Sequence, residues 1–546
     1  MMNRLSGFGV TSFALLLAAS TAPSCGGSAN SALGGGGGMG SADDGGGTSS
    51  GSDDASGSGA SSGGGISTGF TDPATTTTGD GGSCPSGLTC NVKCASGATT
   101  SISGTVYDPA GRDPLYDIVV YVPQGSLQPL PKGVPTGADA CSCPALYKSG
   151  EVVTTTTGVN GTFKLEDAPV GDSVPLVIQV GKWRRLFHVK TTACENTAVA
   201  DKTLLLPSTV AAGDTNDNIP DIAVSTGSAD TLECLMLRIG LSTTEYVAGA
   251  GGTGHVHVFA GGDAGGRGIG GGVGTAEAPG MAGAPASPTN LWASQSQLMP
   301  YDVVLLSCEG GETYDANPPA LEAYLNAGGR AFGSHYHYAW FSGPIGSRQA
   351  YAAPSDWGTN LATWTANGNG TGGGGFLTGG TPIGGSIVTT LNGSTQTFAK
   401  GEALDQWLGV VGALGQNGVG AGLLSIYQPR YNAQVGPANK PSQPWITYDD
   451  SGTNWTMYFS FDTPVGGVQS DAGSGETAPT YCGRAVFSDL HVAGNPMTTD
   501  TMSPPGGCFT GDLSPQEKAL EFMLFDLSSC VIPDTVPPST AGPIPQ

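Results

Sequence analysis

Six side chains that could take part in chemistry fall just after three predicted strands: Glu309, Ser334, His335, His337, Asp489 and His491. Imidazole and carboxylate groups are the ligands that zinc and similar divalent ions bind. His335 and His337 alternate along a segment expected to be extended, which would turn both side chains toward one cleft. The metal-binding hypothesis takes four residues as ligands: His335, His337, His491 and Glu309.

The same residues also suggest a serine hydrolase. Ser334 is the candidate nucleophile, His491 the base that would activate it, and Asp489 the carboxylate that would orient the imidazole. Residues two apart on a strand face the same side, so spacing alone does not place Asp489 behind His491. The alternative for Ser334 is a hydroxyl that satisfies a tight turn, and we favour that alternative.

Aromatic residues surround the two histidines and lead to a third interpretation. Tyr336, Tyr338, Trp340 and Phe341 could form a carbohydrate-binding surface or a buried aromatic patch. We favour aromatic packing over either catalytic role. For a binding surface, the candidate residues are Glu309, His335, Tyr336, His337 and Tyr338.

The elements that must position these residues alternate between strand and helix. Apolar runs predict strands at residues 222–225, 255–259, 301–306 and 330–333, with helical periodicity at residues 230–239 and 318–325 between them, and a later strand at residues 485–487. Short connections between such elements predict a flavodoxin-like parallel sheet with helices on both faces. Ligands of such sheets bind beyond the carboxyl ends of the strands. We therefore expect the three histidines to share one pocket there with Glu309 or Asp489.

An earlier region has the pattern of a β-sandwich, with short apolar runs separated by turn residues. Its segments SGTVYDPAGRDPLYDIVVYV and TTTGVNGTFKLEDAPVGDSVPLVIQVGKWRR resemble carboxypeptidase-regulatory-like, transthyretin-like domains over residues 99–207. That resemblance implies a spacer or binding module without catalysis.

The later segments YDVVLLSCEGG, YLNAGGRAFGSHYHY and GRAVFSDLH resemble the class I glutamine-amidotransferase-like superfamily, in its trehalose-utilisation-protein branch, over residues 219–530. In that superfamily the turn matching residues 333–335 holds a nucleophilic cysteine, and the turn matching residues 308–311 lends backbone N–H groups to an oxyanion. Ser334 stands where the cysteine would be, and the second glycine of the turn is missing. These departures argue against a thiol-dependent glutaminase.

The N-terminus predicts export. Arg4 precedes an apolar run at residues 13–19 that is too short to span a bilayer, which is typical of a signal peptide over residues 1–24. The residues before Cys25 resemble the lipobox of bacterial lipoproteins, whose cysteine is lipidated. Cleavage after Ala22 is the alternative. We expect a lipid anchor on Cys25 at the bacterial outer membrane or cell surface, with secretion as the alternative location.

Composition divides the rest of the chain. Glycine, serine and aspartate dominate the segment after the signal peptide. It has too few apolar side chains to offset the entropy lost on ordering, so it is expected to be disordered. The predicted divisions are a tether at residues 25–82, the sandwich at 83–210, the α/β domain at 219–532 with a Gly-rich insertion at 261–288, and a Pro-rich tail at 533–546.

Charge and cysteine content limit the partners and the compartment. Twenty Lys and Arg against 44 Asp and Glu give a net charge of -24, which opposes binding to nucleic acid or to anionic headgroups, so membrane contact would be through the lipid alone. Eleven of the twelve cysteines follow Cys25. Disulfides of unknown pairing are favoured over zinc, because Cys141 and Cys143 lie too close for the usual ligand spacing.

A last metal candidate lies between the two domains. Residues 214–218 alternate oxygen-bearing side chains as calcium loops do, but they lack the glycine and the distal glutamate of a complete loop. A polar interdomain linker is the favoured interpretation.

Together these patterns predict a cell-envelope lipoprotein with a binding or structural role, with carbohydrate as the candidate ligand. The alternative is a serine-dependent or metal-dependent hydrolase acting on a sugar, an amide or an ester in the amidotransferase-like cleft.

Overall fold

The computed structural model describes residues 84–227, 230–261, 281, 283–309, 311–345, 350–366, 381–466, 481–490, 508–509, 511–532 and 534, with short strands at 77–78 and 501–502. Cys25, the signal peptide, most of the tether and His491 lie outside the described residues. Within the described part, no helix combines the length and the apolar character needed to cross a membrane.

The first region contains two β-sheets. One has the order β1-β4-β3-β6-β7, and the other has β5-β2-β8 with β9 also pairing with β2. The strands are β1 (Thr77–Thr78), β2 (Ser101–Tyr107), β3 (Val119–Pro123), β4 (Glu151–Thr156), β5 (Thr162–Leu165), β6 (Gly171–Val180), β7 (Trp183–Thr191), β8 (Asn196–Ala198) and β9 (Leu204–Leu205).

Strand β3 is buried on both faces. Val120 and Val122 belong to the main core, whereas Val119 and Tyr121 pack on the opposite side against Leu127 and neighbouring residues. A strand that is buried on both faces has apolar residues at successive positions rather than at alternate ones, and residues 118–122 have this pattern.

The second region is organised around one ten-stranded sheet with the order β11-β12-β10-β13-β14-β21-β20-β19-β16-β17. Its strands are β10 (Ile222–Thr226), β11 (Tyr246–Ala248), β12 (Val256–Ala260), β13 (Val303–Leu306), β14 (Arg330–Ser334), β16 (Ile383–Ile387), β17 (Leu424–Ile426), β19 (Ser442–Asp450), β20 (Thr453–Thr463) and β21 (Gly483–Ser488). Two short pairs stand apart: β15 (Thr363–Trp364) with β18 (Ala433–Gln434), and β22 (Thr501–Met502) with β23 (Cys508–Phe509).

The sheet is mixed. Strands β11, β12, β10, β13, β14 and β21 are parallel, which confirms that part of the prediction. Strands β20, β19, β16 and β17 extend the sheet with antiparallel pairings that the sequence did not predict. The chain as a whole is therefore mostly β, with several sheets and a few helices.

Helices cover both faces of the large sheet. They are α1 (Leu232–Ile239), α2 (Ser287–Asn290), α3 (Gln295–Leu298), α4 (Pro318–Asn326), α5 (Tyr338–Ser342), α6 (Ala399–Val410) and α7 (Pro515–Ser528). Residues of α1, α6 and α7 join the core cluster on one face, and residues of α4 and α5 join the cluster on the other. The end of α1 follows its sequence signal, because Gly240 takes the left-handed conformation at the C-terminus.

The first and second regions share one hydrophobic core. Trp183 of β7 packs against Phe525 of α7 at 5.6 Å between ring centroids, and Tyr116 stacks on Phe522 at 5.8 Å. Lys182 crosses the interface to Asp302, with 2.5 Å between Nζ and Oδ1. The two domains are therefore packed against one another through buried apolar and charged groups.

Disulfides reinforce this contact. The bonds found among the described residues are Cys84–Cys90, Cys94–Cys194, Cys141–Cys482, Cys143–Cys530 and Cys234–Cys508. Two of them join the loop at residues 141–143 to the α/β domain. Disulfides rather than zinc are thus confirmed for these cysteines, and so many bonds are consistent with an extracellular or secreted protein.

The candidate calcium loop is instead a linker fixed by Arg184. Its guanidinium donates hydrogen bonds to the carbonyl oxygens of Thr215 and Asn216 at 2.8 and 2.9 Å. The Asp217 carboxylate accepts a hydrogen bond from the Leu186 N–H at 3.0 Å. The Asp214 carboxylate likewise accepts a hydrogen bond from the Asn216 N–H at 2.7 Å, so these polar groups hold the segment in place, which supports the linker interpretation.

The Lys182–Asp302 pair yields a test of the interface. Replacing Lys182→Met leaves Asp302 buried without its cation, so we expect the free energy of unfolding to fall by about 3–5 kcal/mol in urea titrations. The matched variant Lys164→Met removes an exposed lysine that pairs with Glu166, and should cost less than about 1 kcal/mol. Equal losses in the two variants would contradict a buried role for Lys182.

Candidate functional site

The carboxyl ends of the parallel strands meet along one edge of the sheet, as the sequence predicted. Strands β14 and β21 end together, with Ser334 opposite Ser488, and Leu306 of β13 lies opposite Gly333. Strands β10 and β13 are neighbours, yet the chain leaves β10 toward β12 and leaves β13 toward β14. Such a reversal of direction opens a crevice beyond the strand ends.

Ser334 is fully buried at this edge, and its hydroxyl donates a hydrogen bond to Oδ2 of Asp230 at 2.8 Å. Asp230 lies just before α1, so this contact ties the end of β14 to the beginning of that helix. His491, the predicted base for Ser334, lies outside the described residues. The arrangement around Ser334 agrees with a hydroxyl that fixes a turn.

His335 and His337 do not lie on an extended segment, and that prediction was wrong. Residues His335–His337 form a single 3₁₀ turn between β14 and α5. His335 has a φ of 52°, a left-handed conformation that non-glycine residues rarely adopt. The chain turns there because β14 must pass directly into a helix, so the alternation argument for a shared face does not apply.

His337 is buried and electrically neutral. Its Nδ1 lies 3.0 Å from the carbonyl oxygen of Ser334, which can only accept, so Nδ1 carries the proton and Nε2 is an acceptor. Burial lowers the pKa of His337 to about 4, because the charged form loses its solvation. Within the described residues, Nε2 has no hydrogen-bond partner.

Asp489 is buried one residue beyond β21. Its Oδ2 accepts a hydrogen bond from the N–H of Asn432 at 2.8 Å, while Oδ1 has no hydrogen-bond partner in the described part of the chain. Burial raises the pKa of Asp489 to about 7, against the opposing effects of the Asn432 hydrogen bond and the Arg430 charge. The predicted Asp489–His491 contact lies outside the described residues.

Arg430 and Tyr336 form a pair next to Asp489. The guanidinium carbon of Arg430 lies 4.2 Å from the centre of the Tyr336 ring, and Nη1 donates to the Tyr336 hydroxyl at 3.2 Å. The Arg430 N–H donates to the Asp489 carbonyl at 3.0 Å. Tyr336 is therefore held by a cation–π contact and is half-buried rather than fully buried.

The other aromatic residues form a core patch. Tyr338, Trp340 and Phe341 are at most 1% exposed, and Phe341 stacks on Trp364 with 6.5 Å between ring centroids. The Tyr338 hydroxyl donates to Oε1 of Glu312. The buried-patch alternative is thus confirmed for these three residues, so Tyr338 cannot offer its ring to a ligand at the surface.

Glu309 follows β13 and is half-buried. A side chain at Gly261 would approach Glu309 Oε1 to 2.8 Å, so the glycine leaves room for this carboxylate beside the end of β12. Among the described side chains, no three His, Cys, Asp or Glu residues are grouped to hold a metal ion. Because His491 lies outside them, the four-ligand set and the shared histidine pocket stay predictions.

Three buried acids at this edge were not singled out from the sequence: Asp230, Glu233 and Glu312. Glu233 lies in the first turn of α1, and neither of its carboxylate oxygens has a hydrogen-bond partner among the described residues. Burial, and then the charge of Asp230, raise the pKa of Glu233 to about 8. The available signal was an acidic pair directly after a buried strand, within residues 230–233.

Glu233 makes stability depend on pH. The unfolded chain loses this proton near the ordinary pKa of 4.5, whereas the folded protein keeps it to about 8. The folded state therefore holds more protons in this window, and its stability falls as the pH rises through it. Glutamine does not titrate, so Glu233→Gln should lack this decrease in the free energy of unfolding, which is about 1.4 kcal/mol per pH unit and at most about 5 kcal/mol in total. Urea titrations at several pH values in this window measure the free energy of unfolding, with exposed Glu195→Gln as the control. Identical pH profiles for Glu233→Gln and the wild type would refute the assignment.

Comparison of the chain with protein-family models, with curated proteins and with solved structures found no match.

Proposed function

We propose that this protein is an exported, lipid-anchored component of the bacterial cell envelope that binds a hydroxyl-rich ligand, such as a carbohydrate, at the carboxyl edge of its α/β domain. The observation that carries this proposal is the set of buried polar atoms at that edge with no hydrogen-bond partner among the described residues. They are His337 Nε2, Asp489 Oδ1, Glu312 Oε2 and both carboxylate oxygens of Glu233.

All these groups are buried. His337 Nε2 accepts hydrogen bonds, whereas the raised pKa values of Glu233 and Asp489 keep protons on these carboxyls near neutral pH, so that they can donate as well as accept. Burying a polar group without a partner costs about 1–3 kcal/mol, so such groups call for a specific explanation. Sugar hydroxyls both donate and accept hydrogen bonds and would match groups of this kind. Because the side chains are buried, binding requires part of the covering chain to move aside.

The proposed family relationships support a ligand at this edge. If the short edge strand β11 is left out, the other five parallel strands, β10, β12, β13, β14 and β21, lie in the sheet in the order second, first, third, fourth, fifth. That is the order of flavodoxin-like sheets, which bind ligands at the point where the strand order reverses. We propose that residues 219–532 are a class I glutamine-amidotransferase-like domain and residues 83–210 a carboxypeptidase-regulatory-like sandwich.

Export through a signal peptide and anchoring through Cys25 agree with the disulfides of the folded part. Cys25→Ala should move the protein from the membrane fraction to the soluble fraction, because the lipid would be its sole membrane contact. Ser28→Ala, in the same tether, should leave it in the membrane fraction. A wild-type N-terminal peptide whose mass shows no lipid would refute the anchor.

The set of buried polar atoms provides a test of ligand binding. Glu312→Gln and Asp489→Asn keep the side-chain shape but replace one acceptor oxygen with a donor NH₂ group. Each should weaken the binding of a sugar identified on a glycan array by about tenfold or more, measured by calorimetry. Glu195→Gln is the control, and melting temperatures check that each variant is folded. Absence of any glycan ligand for the wild type would count against the proposal.

A hydrolase is the second candidate, and the conformation of His335 favours it. A residue with positive φ between a strand and a helix is the geometry that presents a catalytic side chain at the top of an α/β sheet. Asp489, with its raised pKa, could exchange a proton near neutral pH. Nitrophenyl glycosides and esters test this candidate. Turnover that His335→Ala abolishes would favour the hydrolase, and no turnover would leave the binding role.

A further inference from the structure

A cavity of about 430 Å³ lies between the two domains, at the amino edge of the large sheet. Its walls come from the sandwich, from the beginnings of β13, β14 and β21, and from the end of α7. This edge is opposite to the carboxyl ends where the buried polar atoms of the proposed binding site lie. The volume falls in the range of sites for small organic ligands, which often occur at domain interfaces.

The shape of the cavity is fixed by covalent bonds. Both interdomain disulfides, Cys141–Cys482 and Cys143–Cys530, belong to its lining. Lys182 and Asp302 close another part of the wall through their ion pair. A site whose walls are held in this way is formed before any ligand arrives, which lowers the entropy cost of binding.

Most of the lining has no hydrogen bond to offer a ligand. Val134, Leu146, Val303 and Val531 contribute apolar surface, and the cystine sulfurs add to it. The Lys182 ammonium already donates to the carbonyl oxygens of Pro131 and Gly133 at 2.6 and 2.5 Å, in addition to Asp302. The greater part of a ligand here would therefore be apolar.

Polar side chains, among them Asp139, Ser142 and Ser528, also border the cavity, and Arg330 brings a positive charge to its wall. The Arg330 guanidinium lines the cavity and donates to the carbonyl oxygens of Gly328, Gly329, Cys482 and Ser529 at 2.7 to 3.3 Å. Among the described residues it forms no ion pair with a carboxylate. Burial and the nearby charge of Arg484 lower the pKa of Arg330 to about 10, as expected for a cation in poorly solvated surroundings. An anion in the cavity would compensate this charge.

We propose that this cavity binds a small apolar molecule with one anionic group, such as an aromatic or aliphatic carboxylate or sulfonate. The apolar part would pack against Val134, Leu146 and Val531, and the anion would lie toward Arg330. The cavity is separate from the carboxyl-edge site and does not depend on it.

Anilinonaphthalene sulfonate is a suitable probe, because it joins an apolar ring system to a single anion. Fluorescence titration of the folded, oxidised protein should show saturable binding with one site per chain. Leu146→Trp fills the cavity and should weaken this binding by about tenfold or more. Val410→Trp adds the same ring at an exposed position, 49% exposed, and should leave the affinity within about threefold.

The role of the charge is tested with uncharged phenylnaphthylamine. Arg330→Met should weaken sulfonate binding by about tenfold and leave the uncharged probe within about threefold, whereas Arg330→Lys should retain most of the sulfonate affinity. Equal losses for both probes would overturn the anionic specificity, and unchanged binding in Leu146→Trp would overturn the site. If Arg330→Met does not fold, Leu146→Trp still tests the location of the site, and loss of sulfonate binding in Arg330→Lys would contradict the role of the positive charge. Glu312→Gln should bind the probe normally, which separates this test from the carboxyl-edge proposal.

Discussion

Burial of helix α7 on all sides is the constraint on which the two domains depend. Eleven of its fourteen residues are buried, so the helix belongs as much to the sandwich as to the sheet. Three of its buried charged residues have partners from other elements: Glu517 pairs with Arg238 at 2.5 Å, Lys518 with Asp113 at 3.0 Å, and Asp526 with Lys400 and Arg484. Removing one partner from a buried pair leaves an uncompensated charge. The positions of the sandwich, α1 and α6 are therefore linked through one helix, and Cys143–Cys530 closes the assembly just beyond its end.

Short-range sequence patterns predicted individual strands and helices, but not the packing of α7 between the other elements. The continuous apolar run at residues 301–306, the glycine after α1 and the proline at the beginning of α4 each specify a strand or a helix boundary through short-range physics, and the structure has them. The antiparallel strands β16 and β17 were missed because their residues, such as Gly384 and Gly385, carry little strand preference and pair through contacts distant in sequence. Likewise, nothing within residues 515–527 reveals that the Lys518 ammonium donates a hydrogen bond to Asp113, which lies 405 residues away along the chain.

The same distinction explains the candidate site. Topology alone brought Ser334 and Asp489 to the same edge, because parallel strands end together. Their partners, Asp230 for Ser334 and Asn432 for Asp489, come from segments 104 and 57 residues away and could not be inferred from spacing. The turn at His335 was missed for another reason. Alternating histidines and tyrosines are most simply interpreted as an extended segment, but the backbone turns there so that α5 can pack its aromatic side chains into the core.

The two proposed sites differ in how their polar groups are satisfied, and this difference suggests different ligands. At the carboxyl edge, several buried polar atoms have no hydrogen-bond partner among the described residues and little charge: His337 is neutral because it is buried, and the raised pKa values of Asp489 and Glu233 keep part of their protons near neutral pH. A ligand rich in hydroxyl groups supplies donors without bringing a charge into poorly solvated surroundings. At the amino edge, the Lys182 cation is already paired with Asp302, whereas a second cation, Arg330, forms hydrogen bonds to carbonyl oxygens and no ion pair among the described residues. An apolar anion suits that wall, because its charge offsets the guanidinium while the rest of the molecule replaces water against apolar side chains.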